Sequence, residues 1–156
     1  MLTKRLNSKH IHAHMKSAFN YADCSTAEKL KVGCVLVKDD RIISIGYNGM
    51  PPGWSNTCET LSFFNEFGKQ LLTQALVTKP EVLHAEENAI TKLARSTESG
   101  EGATAFITHA PCLSCAKLLY SSGIIGVYYT HPYRNTAGVN FLNECKIGVN
   151  HYNADH

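Results

Sequence analysis

PCLSC, residues 111–115, is the stretch of sequence around which the rest of the chain is organised, together with HAE, residues 84–86. A catalytic zinc site takes three imidazole or thiolate ligands and leaves its fourth position to water. His84, Cys112 and Cys115 supply the residue types that such a site requires. Because residues three apart on a helix project from one face, both cysteines can bind one ion from a single helical turn. We therefore predict one zinc ion at these three side chains.

Both stretches are predicted to lie at helix N-termini. Proline is favoured at the first helical position, so Pro111 predicts a helix that begins there, with its positive end near the cysteine thiols. Glu86 lies two residues after His84, and residues two apart on a regular helix point in different directions. We therefore place this pair at the start of a second helix, where Glu86 can face water rather than the metal.

A structural or redox role is the alternative for these motifs. C-x-x-C alone is as typical of half a structural zinc site or of a redox pair, and H-x-E alone is uninformative. A structural site needs a fourth side-chain ligand, such as a second C-x-x-C, and the sequence has none. A redox pair does not require the histidine and the glutamate. Glu86 therefore favours an enzyme over a zinc-stabilised binding module without turnover.

Length and composition predict one globular domain, residues 1–156. The chain is 44% hydrophobic and 18% charged, and its net charge of 15 − 13 = +2 is too small to indicate a nucleic-acid surface. No apolar run reaches the roughly 18 residues of a membrane span, and the N-terminus lacks the apolar core of a signal peptide. We therefore expect a cytoplasmic protein with no membrane or nucleic-acid partner.

Helix and strand patterns alternate along the chain. Apolar residues at three- and four-residue steps predict helices at 8–22, 84–96 and 138–146. Runs rich in β-formers predict strands at 32–37, 41–47, 102–108, 124–130 and 148–152. The same apolar period predicts another helix at 61–76, which ends before Pro80. This order predicts a sheet flanked by helices, the three-layer α/β class.

Three further features lie outside the metal stretches. They are the loop GYNGMP at residues 46–51, a long insertion at about 50–82, and the pair Tyr133-Arg134 after the fourth predicted strand. H-x-E followed by P-C-x-x-C is the signature of the zinc nucleobase deaminases. Together these features resemble the deoxycytidylate (dCMP) deaminase family, a branch of the cytidine and deoxycytidylate deaminase superfamily.

The resemblance implies a fold, an activity and partners. The fold is a three-layer α/β/α cytidine-deaminase-like fold with a central, mostly five-stranded mixed sheet. The activity is the zinc-dependent hydrolysis of dCMP to dUMP and ammonia, which supplies dUMP for thymidylate synthesis. Members are commonly homo-hexamers that dCTP activates and dTTP inhibits, and Mg²⁺ can accompany the nucleotide effector.

The resemblance also implies roles for single residues around the base and the sugar. Glu86 takes a proton from water, passes it to ring N3 and later protonates the leaving amine. The backbone N–H of Ala85 holds the pyrimidine O2, and the carbonyl of Ala110 accepts from the exocyclic amine. Asn48 binds the sugar.

The 5′-phosphate contacts implied by the resemblance are Lys29, Tyr133 and Arg134. Arginine suits a phosphate because its planar fork can donate two hydrogen bonds at once. The family often has arginine where this chain has Lys29, which could equally be a solvated surface lysine.

Two further sites are implied in regulated or zinc-rich members of the family. The loop that contains Tyr47, Asn48 and Gly49 matches the region that binds the nucleotide effector, and a rigid pocket wall is the alternative. Some members carry a second, structural zinc near the long insertion. Cys24 and Cys58 are the candidate ligands for it here.

Other deaminases of the superfamily are the nearest rivals. The tRNA adenosine deaminases share both zinc stretches, but they lack the GYNGMP loop and the 35 residues between Asn48 and His84, and normally carry a basic face for RNA. A deaminase of free cytidine or cytosine would not need the pair Tyr133-Arg134. We therefore favour dCMP as the substrate.

Overall fold

A central five-stranded sheet lies between two layers of helices. The computed structural model describes residues 5–65 and 72–153. Its helices and strands are, in chain order, α1 (Ser8–Ala22), β1 (Gly33–Lys38), β2 (Arg41–Tyr47), β3 (Glu59–Asn65), β4 (Leu72–Thr78), α2 (Ala85–Leu93), β5 (Thr104–His109), α3 (Leu113–Ser121), β6 (Gly126–His131), α4 (Ala137–Glu144) and β7 (Gly148–His151). No helix within these two ranges is long and apolar enough to cross a membrane.

The central sheet is mixed, with the strand order β2-β1-β5-β6-β7. β1 pairs antiparallel with both β2 and β5, whereas β5, β6 and β7 run parallel to one another. Helix α1 packs on one face, and α2, α3 and α4 pack on the other. The prediction of a three-layer fold around a mixed five-stranded sheet is therefore confirmed.

β1 is the buried centre of this sheet, and every residue from Gly33 to Val37 is buried. Cys34 and Leu36 face the layer of α2, α3 and α4, whereas Val35 and Val37 face α1. A strand covered on both faces needs apolar side chains at every position, which this stretch supplies. The two core clusters on the faces of the central sheet therefore share β1, and a third, smaller cluster consists of Ala27, Cys58 and Val82.

The helix predicted at 61–76 is wrong. The chain forms the antiparallel pair β3 and β4 there, in which Leu61 lies opposite Leu76. The apolar period places these two residues on one buried helix face, but Leu61 is 58% exposed in the hairpin. The two strands contain three threonines and two phenylalanines, which favour β-structure over helix, and the apolar spacing does not outweigh this preference. Phe67 and Leu71, which extend the same pattern, lie outside the described residues.

The β3–β4 hairpin is anchored at its base. The buried Glu59 carboxylate accepts hydrogen bonds from the backbone N–H groups of Glu28, at 3.0 Å, and Lys29, at 3.1 Å. The N–H of Lys79 donates to the carbonyl of Cys58 at 2.8 Å. The first two bonds tie the hairpin to the loop before β1, and the third joins its two ends.

Helix α2 lies directly against the backbone of β2 at Gly46. A Cβ atom at this position would lie 2.2 Å from the carbonyl oxygen of Ala85 and 2.6 Å from the backbone nitrogen of Ala89. The Ser44 hydroxyl reinforces this contact by donating to the carbonyl of Ala89 at 2.6 Å. Because only glycine permits this approach, Gly46 sets the position of the first turn of α2.

We expect Gly46→Ala to lower the free energy of unfolding by about 1–3 kcal/mol, because the added methyl group overlaps the backbone of α2. Urea unfolding followed by circular dichroism measures this change. Gly49→Ala is the matched control, since no heavy atom lies within 4 Å of a Cβ built there. Equal losses of stability in the two variants would contradict the close packing.

Candidate metal centre and pocket

The N-termini of α2 and α3 converge on one point. His84 is the N-cap of α2 and Cys112 is the N-cap of α3, both with extended backbone conformations. The Nδ1 atom of His84 lies 3.4 Å from the sulfur of Cys115 and 3.7 Å from that of Cys112. In the described part of the chain, this is the only group of three or more potential metal ligands whose atoms all lie within 4.8 Å of one another. The fold therefore brings the three predicted ligands together.

The structure corrects the start of the helix that was predicted to begin at Pro111. Pro111 is not the first helical residue, because α3 begins at Leu113 after the Cys112 N-cap. The extended backbone of Cys112 (φ −69°, ψ 169°) points its sulfur toward Cys115 and His84, a direction that a helical N1 residue does not give. Gly138 of α4 packs on the Pro111 carbonyl, at 2.1 Å from a built Cβ, and so supports the turn from behind.

His84 is held in place by its own helix. The Glu87 carboxylate accepts from the N–H of His84 at 3.3 Å, the backbone half of a capping box. The carbonyl of His84 accepts from the N–H of Asn88 at 2.9 Å. The Asn88 side chain in turn donates to the carbonyl of Tyr47 at 2.9 Å, which fastens the first turn of α2 to the end of β2.

The thiols of Cys112 and Cys115 have pKa values shifted in opposite directions. Hydrogen bonds from the Cys115 thiol and from His84 lower the pKa of Cys112 to about 4. The hydrogen bond that Cys115 donates to Cys112, with burial and the nearby Glu86 charge, raises the pKa of Cys115. One thiolate is therefore already favoured before a cation binds. A zinc ion would deprotonate the second thiol outright, so the His/Cys/Cys donor set fits zinc.

Glu86 is a buried acid beside this cluster, with only 4% of its surface exposed. Burial raises the pKa of Glu86 to about 7. A carboxyl group with such a pKa exchanges protons readily near neutral pH, as a general acid–base catalyst requires. The sequence predicts Glu86 beside the metal site. The structure adds that Glu86 is buried away from water, which raises its pKa.

A cavity of about 220 Å³ opens onto the cluster. It is lined by Leu30, Val32, Asn48, Thr78, Val82, His84, Ala85, Glu86, His109, Ala110, Cys112 and Tyr133. Four of the six predicted substrate contacts, Asn48, Ala85, Ala110 and Tyr133, are in this wall. Lys29 and Arg134 are exposed and are not among the lining residues.

Asn48 shapes the cavity through its own amide. Its Oδ1 accepts from the N–H of Val32 at 2.9 Å, and its Nδ2 donates to the carbonyl of Leu30 at 2.8 Å. An amide has two donor hydrogens and two acceptor lone pairs, so one of each remains for a ligand. Asn48 therefore holds the chain before β1 in place and can still contact a substrate.

Five lining residues were not predicted from the sequence. Leu30, Val32, Thr78 and Val82 form the apolar part of the wall, and nothing in their composition separates a pocket wall from a core. His109 also lies in the wall, directly before Ala110 in the chain. Its position at the end of a strand that leads into the PCLSC motif is the signal that could have identified it.

The predicted effector loop is paired with the residue before the first metal ligand. The N–H of Gly49 donates to the carbonyl of Leu83 at 3.1 Å, and the N–H of Leu83 donates to the carbonyl of Gly49 at 2.8 Å. Tyr47, two residues earlier, is 37% exposed. The loop is therefore accessible and lies one residue away from His84.

Among the residues that the structure describes, Cys24 and Cys58 belong to no group of three or more potential metal ligands. Cys24 is exposed, and its sulfur lies 3.9 Å from the carbonyl oxygen of Asn20. Cys58 is buried, and its sulfur lies near the Thr26 hydroxyl and the Asn56 carbonyl. Each sulfur thus has separate local partners.

Comparison with protein families gives a match over most of the chain. The model for the cytidine and deoxycytidylate deaminase zinc-binding region matches residues 8–131. The chain belongs to this deaminase family. The matched range includes both metal stretches and the cavity residues up to the end of β6.

Individual relatives are also similar. The deoxycytidylate deaminase of Enterobacteria phage T4 is 33% identical over 164 residues, covering 79% of this chain and 83% of that protein. The deoxycytidylate deaminase of Saccharomyces cerevisiae is 36% identical over 124 residues, covering 77% of this chain and 37% of that protein. This chain spans about half of the length, or less, of several curated relatives that it matches.

One solved structure of the family resembles the fold closely. It is the crystal structure of dCMP deaminase from the cyanophage S-TIM5 in complex with dCMP and dUMP. It matches with a TM-score of 0.82 at 36% identity, covering 95% of this chain and 100% of that one. The fold described above is therefore that of the cytidine and deoxycytidylate deaminases.

We expect the purified protein to contain one zinc ion per chain, because the described residues form a single group of three suitable ligands. Cys112→Ser should lose the metal, since an alcohol is a much weaker zinc ligand than a thiolate. Elemental analysis after desalting measures the content. Cys24→Ser and Cys58→Ser are matched controls that should retain one zinc, and loss of zinc from either would contradict a single site.

Proposed function

We propose that this chain catalyses the zinc-dependent hydrolysis of dCMP to dUMP and ammonia. The observation that carries the proposal is the buried Glu86, whose pKa is raised to about 7, beside a cluster of three metal ligands in a cavity. A purely structural site has no use for such an acid. The relatives named deoxycytidylate deaminase support dCMP as the substrate.

In the proposed reaction, the metal ligands and one carboxyl group have separate roles. His84, Cys112 and Cys115 would hold a zinc ion, which supplies a Lewis acid that makes water nucleophilic at neutral pH. Glu86 takes the first proton of the attacking water and donates it to N3 of the pyrimidine as the C4–O bond forms, then takes the second water proton from the C4 hydroxyl and donates it to the amine as the C4–N4 bond breaks. A pKa near 7 suits both directions of transfer, because neither protonation state of Glu86 is strongly disfavoured.

The cavity wall offers suitable contacts for a cytosine ring and its sugar. Ala85 is the first residue of α2, where a backbone N–H has no partner within the helix, and we assign it to the pyrimidine O2. We assign the carbonyl of Ala110 to the exocyclic amine. The free half of the Asn48 amide is assigned to the deoxyribose.

The 5′-phosphate is assigned to Tyr133 and Arg134, which follow β6. Tyr133 lines the cavity and Arg134 is exposed beside it. An exposed arginine can approach a phosphate with both arms of its guanidinium group. Lys29 is retained as a third contact, although its side chain is exposed and outside the cavity wall.

A spectrophotometric deamination assay tests this function. We expect turnover of dCMP, much slower turnover of deoxycytidine and CMP, and none of an adenosine-containing RNA hairpin. Glu86→Gln should retain zinc and the fold but lose at least about 100-fold in kcat, since general acid–base catalysis contributes that much or more. An active Glu86→Gln enzyme would overturn the mechanism. Faster deamination of the RNA hairpin than of dCMP would show that dCMP is not the substrate.

We also propose that nucleotide effectors bind at the loop that contains Tyr47, Asn48 and Gly49, with dCTP as activator and dTTP as inhibitor, and with Mg²⁺ on the triphosphate. The Gly49–Leu83 hydrogen bonds support this proposal, because they connect an exposed loop to the residue before His84. An effector that shifts the loop would move the first turn of α2 with it. Such coupling needs two states that differ in effector affinity.

Titration with dCTP and dTTP in the presence of Mg²⁺ tests the regulation. We expect dCTP to lower, and dTTP to raise, the dCMP concentration at half-maximal rate. Tyr47→Ala should weaken both effects and leave the maximal rate unchanged. Tyr120→Ala is the matched control, because Tyr120 is an exposed aromatic residue on α3. A deamination rate that changes with neither dCTP nor dTTP would rule out the effector site.

The remaining proposals concern organisation and context. Residues 1–156 form one deaminase domain with an insertion at about 50–82, and the separate two-stranded sheet of β3 and β4 supports this division. We propose a cytoplasmic homo-hexamer that supplies dUMP for thymidylate synthesis. Light scattering on the purified chain, with and without dCTP, measures the oligomeric state.

A further inference from the structure

His109 is a wall residue of the cavity to which no role has been given so far. It is the last residue of β5 and is only partly buried. The same wall includes Ala110 and Tyr133, which we assigned to the base and the phosphate. The ring of His109 lies 4.9 Å from the ring of the exposed His131, measured between centroids.

The hydrogen bonds around Thr108 fix the tautomer of His109. Thr108 is fully buried, and its Oγ1 accepts from the N–H of Gly33 at 3.1 Å. The same oxygen lies 2.8 Å from Nδ1 of His109. Of the two hydrogen-bond partners that this hydroxyl has within the described ranges, only Nδ1 can accept, so the buried O–H is satisfied when Thr108 donates to it. The ring proton of a neutral His109 must then be on Nε2.

His109 also remains neutral in this position. Burial, together with the charge of His131, lowers the pKa of His109 to about 4. A neutral ring with Nδ1 occupied by Thr108 has one remaining polar group, the Nε2–H donor. The wall of the cavity thus carries a donor whose direction does not change with pH near neutrality.

We propose that His109 determines specificity for the nucleotide by donating its Nε2–H to an oxygen of the substrate's 5′-phosphate. This inference rests on the proposed deamination of dCMP. The base and sugar have assigned partners in Ala85, Ala110 and Asn48, whereas His109 lines the same cavity as Tyr133, which we assigned to the phosphate. A phosphate carries several charged acceptors and binds fixed N–H donors strongly. A nucleoside has only its uncharged 5′-hydroxyl at this end, which is a weaker acceptor than a phosphate oxygen.

Two substitutions at one position test the proposal. The amide nitrogen of glutamine can occupy the place of Nε2, whereas that of asparagine reaches only the place of Nδ1. We expect His109→Asn to lower kcat/KM for dCMP by about tenfold or more, through KM, because a hydrogen bond to a charged group is lost. The value for deoxycytidine should stay within about twofold, and His109→Gln should recover most of the loss with dCMP.

The outcomes separate this proposal from the proposed function. A wild-type enzyme that does not deaminate dCMP refutes the function itself. If the wild type is active but His109→Asn affects dCMP and deoxycytidine equally, the donor serves the base or sugar and the proposal is overturned. An unchanged kcat/KM in His109→Asn overturns it as well.

A spectroscopic measurement keeps the proposal testable if the His109 variants do not fold. In the ¹⁵N-labelled Glu86→Gln enzyme, the His109 ring should show the Nε2–H tautomer, and its signal should shift when dCMP is added but not when deoxycytidine is added. Thr108→Val should lose the single tautomer, whereas the matched variant Thr108→Ser should keep it. An Nδ1–H tautomer, or equal shifts with both ligands, contradicts the proposal.

Discussion

The approach of two helix N-termini to each other is the constraint on which the rest of the molecule depends. His84 and Cys112 are both N-cap residues, and the extended backbone of each directs its side chain across the gap to the other. Gly46 lets α2 lie on the backbone of β2, and Gly138 lets α4 support the turn before α3. The ligand cluster therefore depends on close packing of the backbone, which Gly46 and Gly138 permit because they have no side chains.

The electrostatics of the site follow from this arrangement. Two helix N-termini provide positive potential at one point, which favours the thiolate of Cys112. The same packing removes Glu86 from water, which favours its neutral form and keeps it ready to exchange a proton. Cys112 thus favours negative charge, which suits cation binding, whereas Glu86 favours its neutral form. These opposite preferences lie close together because Ala85 alone separates Glu86 from His84, which contacts Cys112.

The types and spacing of the potential ligands predict the metal centre well. The apolar pattern along the chain predicts the structure around the centre less well. Ligand type and spacing identify His84, Cys112 and Cys115 without any knowledge of the fold. The central sheet also follows from the sequence, because the fully apolar β1 must be covered on both faces. The hairpin at β3 and β4 could not be predicted, since apolar residues such as Leu61 reach solvent there. The role proposed for His109 depends on the hydrogen bond that Thr108 accepts from Gly33 of another strand, which no local pattern contains.

The paired backbones of Gly49 and Leu83 have a consequence for how such a chain can change. The segment between Gly49 and Leu83 contains the β3–β4 hairpin, and two hydrogen bonds join its two ends. A change of length at the far end of the hairpin therefore need not move the start of α2. New surface can be added or removed there during evolution while the three metal ligands retain their spacing.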